Sequence, residues 1–218
     1  MSSENKVRQY ENYTKANTGL LIIDPYNDFM TEGGKLFEQT KEVRQKTNTL
    51  ENMKDIISRI REIGVQVFIV PHRRPTPADR QFWKFPNATQ LKNLDLQIFG
   101  KGTWGGEFNP EYGPRAGDVI VHEHFGQSGF ANTDLDLQLK QHGVSHIILI
   151  GMLANSCLES TGRYGMELGY HVTLVRDATA AFSFAGMQAA HELNGPAFAH
   201  AIYTTAELLE KLPEKLKK

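Results

Sequence analysis

The sequence predicts an α/β fold: one six-stranded parallel sheet with helices on both faces, a three-layer sandwich of Rossmann-like kind. Two patterns predict it. Short apolar runs alternate with longer stretches whose apolar residues recur at three, four and seven. Strands that alternate with helices pair in parallel and need cover on both faces. In addition, Leu20 to Ile23 and Ile147 to Ile150 are apolar at every position, as strands in the buried centre of such a sheet would be.

In order, the first strand ends at Asp24. Val43, Leu50, Met53, Ile56, Ile57, Ile60 and Ile63 then mark one amphipathic helical stripe, stopped by Gly64. The next strands are Val65 to Val70, Asp118 to Val121, His146 to Ile150, Tyr170 to Val175 and Ala199 to Tyr203. Helical patterns cover about 133–142, 156–168, 186–194 and 205–212, and Gly143 and Gly169 punctuate two of their ends. The connection from Pro71 to Gly117 is the exception. It holds six prolines and both tryptophans, Trp83 and Trp104. One helix is expected inside it, near 77–84 or 88–94. A connection this long is usually functional or forms a partner surface.

The 218 residues suit a single domain, 1–218. Hydrophobic residues make up 40% and charged residues 22%, enough apolar content for a core. Lys plus Arg total 24 and Asp plus Glu 25, a net charge of −1, so there is no global basic excess to hold nucleic acid or an anionic membrane. One cysteine leaves no internal disulfide and no cysteine-based zinc cage. The opening MSSENKVRQY is polar, so no secretory leader is expected, and no apolar run is long enough to span a bilayer. The expectation is a soluble cytoplasmic protein. The Lys-rich tail from Lys211 to Lys218 reads as a solvated, fraying end.

Ligands of such sheets bind outside the carboxyl ends of the strands. Residues following the strands are therefore the candidates: Asp24, His72, the trio His122, Glu123 and His124, the loop from Gly151 to Cys157, and Asp177. Cys157 sits near the start of a helix, where unpaired N–H groups favour a thiolate. The alternative for it is a buried structural thiol. A carboxylate at Asp24, after four apolar residues, must be paired or protonated. Its alternative is a cap or salt-bridge partner. Asp28 reads as a solvated turn residue. His122 and His124, spaced i and i+2 on a strand, would face one way, and with His72 they could hold a metal. No dinucleotide or P-loop fingerprint follows a strand.

The chain resembles the isochorismatase-like cysteine hydrolases, which include nicotinamidases, N-carbamoylsarcosine amidohydrolases and ureide hydrolases. The resemblance runs from about Thr18 to Leu212. It rests on Leu21-Ile-Ile-Asp24 with Asn27-Asp28-Phe29, Gly102-Thr-Trp-Gly105, Pro114 to Asp118, Ser128-Gly-Phe130 with Thr133-Asp-Leu135, Gly151 to Cys157, Gly169-Tyr170 and Asp177-Ala178. That resemblance implies a catalytic Asp–Lys–Cys set, with Asp24 as acid–base group and Cys157 as nucleophile. The lysine is missing. Its place, six residues before Phe130, holds His124; a one-residue gap would put Glu123 there. Ala154 stands where relatives often carry Thr. A cis peptide at Met152–Leu153 is implied, with the N–H groups of Leu153 and Cys157 as the oxyanion hole. Phe29, His72, Trp104, Phe125 and Asn155 are expected to bind substrate. The Asp-x-His metal motif of nicotinamidases is absent from Pro71-His72-Arg73-Arg74, so no metal or cofactor is expected.

The implied reaction is cleavage of a small amide, ureide or lactam C–N bond through a thioester. Asp24→Asn is accordingly expected to slow alkylation of Cys157. Two alternatives are a vinyl ether hydrolase needing Asp24 but no thiol, and a non-catalytic binding member of the family. The partners expected are a small-molecule substrate and further copies of the chain, as a homodimer or homotetramer.

Overall fold

The structure is a computed structural model and describes residues 12–214. The polar opening segment and the last four residues of the Lys-rich tail lie outside the described residues.

Six strands form one parallel sheet in the order β3-β2-β1-β4-β5-β6. They are β1 (Thr18–Ile23), β2 (Gln66–Val70), β3 (Val119–Ile120), β4 (His146–Met152), β5 (His171–Ala180) and β6 (Ala201–Tyr203). The two all-apolar runs are the central pair, and every residue of β1 and β4 is buried. Alternate side chains feed two cores. Leu20, Ile22, Val67, Ile69, Ile148 and Ile150 pack with Met53, Ile56 and Ile60 on one face. Leu21, Ile23, Phe68, Val70, Ile147 and Leu149 pack with Leu135, Leu139 and Leu158 on the other. This is the three-layer arrangement expected of strands that alternate with helices.

Four details differ from the sequence expectation. The stripe from Val43 to Ile63 is two helices, Lys41–Thr47 and Thr49–Glu62. Asn48 breaks it with φ 54°, a left-handed conformation that asparagine tolerates better than most residues. The long connection holds two helices, Asp79–Phe82 and Ala88–Leu96, the second closed by an Asn87/Gln90 capping box. Strand β3 is only two residues long, so His122 and His124 follow it on irregular backbone, and the same-face argument for them fails. Strand β5 runs past Val175 to Ala180, because a register shift between Leu149 and Gly151 lets β4 go on pairing with it. Asp177 therefore lies inside a strand. Its Oδ1 accepts from the N–H and hydroxyl of Thr205, at 2.7 and 2.8 Å, and it takes no part in the strand-end cluster.

The chain moves from β1 outward to β2 and β3, then returns to β4 on the other side of β1. The point where the direction reverses is the crevice between β1 and β4, where such sheets bind ligands. Asp24 leaves β1 there with φ 53°, and Gly151 approaches it on β4 with φ 116°. A Cβ at Gly151 would collide with the carbonyl oxygen of Ile23 and lie 2.8 Å from its nitrogen. Only glycine fits this close approach. Gly151→Ala should lower stability by about 3 kcal/mol, since strained overpacking of a tight core costs that much. For a chain of this size, that is a fall of roughly 6–12 °C in a thermal melt.

Candidate active site

Asp24 has no exposed surface, and neither has His124. His124 Nε2 lies 3.0 Å from Asp24 Oδ1. Its Nδ1 lies 3.1 Å from the carbonyl oxygen of Gly126. A carbonyl can only accept, so Nδ1 carries a hydrogen. A second proton must then sit between Nε2 and Oδ1, either on the imidazolium or on the carboxyl. In both cases the pair holds one shared proton and is neutral overall. That is how a charge can be buried at this depth.

The other carboxylate oxygen, Asp24 Oδ2, is buried and has no hydrogen-bond partner among the described residues. Beside it stands Cys157: a carboxylate oxygen of Asp24, a ring nitrogen of His124 and Cys157 Sγ all lie within 4.8 Å of one another. The thiol belongs to a π-type turn, Ala154–Leu158, that opens the helix Glu159–Glu167. The peptide before this loop, Met152–Leu153, is cis. The helix start was expected to lower the thiol pKa, and that expectation is overturned. Burial pushes it well above the usual thiol value, and the carboxylate of Asp24 pushes the same way. The Ser156 hydroxyl, 3.9 Å from Sγ, and the Leu153 backbone oppose this only in part.

Glu123 is excluded from the lysine's place. Its two oxygens accept from the N–H and the Nε of Arg74, at 2.9 and 2.6 Å. His122 is solvent-exposed beside Asp134. His72, His122 and His124, which could have held a metal together, are not brought together. His72 does adjoin the pair, with ring centroids 5.0 Å from His124, and burial holds its pKa below the usual histidine value.

A cavity of about 430 Å³ opens over the thiol. Asp24, Phe29, His72, Phe125, Leu153 and Cys157 line it, as expected. Two expected binding residues are misplaced. Trp104 is half-exposed and absent from the cavity wall, and its carbonyl accepts from Asn27 Nδ2. Asn155 is exposed and packs its amide near Gly186, because the turn at 154–158 points Ser156 and Cys157 inward instead.

Sequence reasoning missed three contributors. Asp28, taken as a solvated residue, is buried, and its oxygens accept from the N–H groups of Lys35 and Phe99 at 3.0 and 2.7 Å. It thereby fixes Phe99 in the cavity wall. Arg73 forms an ion pair with Asp79 at 2.6 Å and stacks 4.5 and 5.0 Å from the Trp83 and Phe125 ring centres. Ser156 lines the cavity. The one usable signal was Trp83 with Phe125, two aromatics on segments that both leave strand ends.

An isochorismatase domain model matches residues 18–206. Among curated proteins, the chain is similar to the ureidoacrylate amidohydrolase RutB of Yersinia enterocolitica, 30% identical over 176 residues that cover 74% of each protein. RutB of Caulobacter segnis is 28% identical over 201 residues, 87% of this chain and 83% of that one. The fold is shared with a cysteine hydrolase from Pseudomonas syringae pv. phaseolicola, with TM-score 0.71, 24% identity, and coverage of 93% of this chain and 95% of that one. It is also shared with the N-carbamoylsarcosine amidase of Thermoplasma acidophilum, with TM-score 0.62, 24% identity, and coverage of 87% and 96%.

The electrostatics reverse the expected effect of Asp24 on the thiol. A nearby negative charge opposes thiolate formation, so removing it lowers the thiol pKa. Iodoacetamide labelling of Cys157 in the wild type should be slow near neutrality and accelerate as pH rises. In Asp24→Asn the whole rate–pH profile should move to lower pH. An unmoved profile would show that the carboxylate does not act on the thiol.

Proposed function

The chain belongs to the isochorismatase family, and we propose that it is a cysteine hydrolase cleaving the C–N bond of a small amide or ureide, with Asp24, His124 and Cys157 as its catalytic triad. The observation that carries this reading is Asp24: one oxygen is hydrogen-bonded to His124, and the other has no partner among the described residues and lies beside the Cys157 thiol. That oxygen is free to take the thiol's proton. The similarity to ureidoacrylate amidohydrolases supports a ureide or amide carbonyl as the target.

In this mechanism Sγ attacks the carbonyl carbon as its proton passes to Asp24 Oδ2. The proton shared with His124 keeps the trio from gathering two negative charges. The oxyanion is held by the N–H groups of Leu153 and Cys157. As the tetrahedral intermediate collapses, Asp24 gives its proton to the leaving nitrogen, and an amine or ammonia departs. Asp24 then takes a proton from water, which attacks the thioester. The acid is released, and the proton returns to the sulfur. The lysine's place is filled by an imidazole whose protonation depends on Asp24, not by a permanent cation.

The cavity suits a flat substrate. Phe29, Phe99, Trp83 and Phe125 supply apolar walls, and Asn87, Gln90 and Asn93 supply amide groups. Assembly into a homodimer or homotetramer is part of the same proposal. Phe82 and Phe85, in the segment that borders the cavity, are 76% and 94% exposed, and Phe125 and Phe182 are also exposed at its rim. Among the described residues, no helix is long and apolar enough to cross a membrane. A working thiol must stay reduced, which fits the cytoplasm.

A screen of amides and ureides for ammonia or amine release tests the reading. On the substrate found, Cys157→Ser should lose at least roughly 10³-fold in kcat/KM, as removal of a nucleophile does. His124→Ala should lose roughly 10²-fold and His124→Lys less, because an ammonium restores a donor to Asp24. His122→Ala should leave the rate unchanged. Full activity in Cys157→Ser would overturn the thioester mechanism. Light scattering at micromolar concentration should show more than one copy, and a monomer would overturn the assembly.

A further inference from the structure

The trio has a second property that hydrolysis does not use. Its three groups are a carboxylate oxygen, an imidazole nitrogen and a thiol sulfur, all within 4.8 Å of one another and all buried. Tetrahedral zinc binds such atoms at about 2.0–2.3 Å, which puts ligand atoms about 3.3–3.6 Å apart. The Asp24–His124 separation of 3.0 Å needs to open by only a few tenths of an ångström. Asp24 Oδ2 supplies a second indication of a ligand, since it is a buried carboxyl oxygen without a hydrogen-bond partner among the described residues. The Nδ1 of His124 is already held by the Gly126 carbonyl, which leaves Nε2 as the ligating nitrogen. Metal-bound histidines commonly carry this kind of outer support. Leu153, Ser156 and Phe99 line the same cavity as Asp24 and Cys157.

We propose that Asp24, His124 and Cys157 form a three-ligand site for a thiophilic divalent cation, with Zn²⁺ as the best chemical match, and that the bound ion holds the enzyme inactive. The fourth position takes water. The ion is not a cofactor in this scheme but a competitor for the nucleophile. A thiolate and a carboxylate together balance the cation's two positive charges, and the imidazole adds a neutral third ligand. Inhibition rests on the proposed hydrolase function; binding does not.

The test uses the full-length protein stripped with a chelator, with Co²⁺ as the spectroscopic probe and Zn²⁺ as its competitor. One equivalent of Co²⁺ should give a thiolate-to-cobalt charge-transfer band and the intense visible bands of a tetrahedral ion. Zn²⁺ should displace both and stop iodoacetamide labelling of Cys157. Cys157→Ser should lose the charge-transfer band. His124→Lys should lose tetrahedral binding, because an ammonium has no lone pair to give. Circular dichroism and a thermal melt check that both variants fold. A cobalt spectrum without the charge-transfer band, or one unchanged in either folded variant, overturns the site. Ammonia release by the metal-free enzyme is measured separately, so hydrolysis without the cobalt band sinks only this inference. The cobalt band without hydrolysis of any amide or ureide sinks only the proposed function.

Discussion

A carboxylate cannot be buried completely at the centre of a sheet unless something neutralises it, and here one shared proton does so. Asp24 has that proton because His124 stands 3.0 Å away with its other nitrogen tied to Gly126. Removing His124 leaves the buried Asp24 carboxylate without the group that neutralises it. The rest of the site depends on this pair. It leaves Oδ2 free beside the thiol. The cysteine is thus stored as an unreactive thiol and becomes a nucleophile only as its proton leaves for Asp24. Such a thiol resists stray oxidation, since oxidation follows thiolate character.

The sheet's topology supplies the meeting point. Chain reversal between β1 and β4 brings the end of one strand and the start of one helix into a single crevice. The approach is so close that Gly151 has no room for a side chain. His124 arrives from the far side by a different device. Strand β3 ends after two residues, and the irregular chain beyond it is pinned to the end of β2. His124 N–H donates to the Pro71 carbonyl at 2.9 Å, and Arg73 N–H donates to the His124 carbonyl at 2.9 Å. Had β3 continued as a strand, alternation would have set His124 by the pleat, with His122 on the same side. The early end of the strand lets the two histidines part, one into the core and one into solvent.

Much of this was legible before any coordinates. The apolar runs and helical periods carry the element order, and the fully apolar LLII and IILI runs mark the central pair. Asp24 and Cys157 stand out because a polar group follows an apolar run at the ligand-binding edge. What stayed hidden was set by contacts between segments far apart in sequence. Asp28 looks like any turn carboxylate until the N–H groups of Lys35 and Phe99 are seen to converge on it. Asp177 looks like a strand-end residue until the register shift between β4 and β5 carries the strand past it. Trp104 and Asn155 have suitable chemistry for a pocket, but backbone direction decides where a side chain goes, and composition does not carry direction. The thiol was misjudged for a related reason: a helix start is a local feature, whereas burial and the charge of Asp24 are tertiary ones.

The exchange of lysine for histidine changes more than one donor. A lysine stays charged through neutral pH and cannot ligate a metal in that form. An imidazole in the same place touches the carboxylate at 3.0 Å through a ring nitrogen that can donate or accept. It also turns a site with one thiol and one carboxylate into one with three convergent ligands. The same neutral pair that makes burial of Asp24 possible therefore makes the nucleophile accessible to a cation once the shared proton is lost. Stability at rest, reactivity with a carbonyl and affinity for a soft divalent ion all follow from where that proton sits.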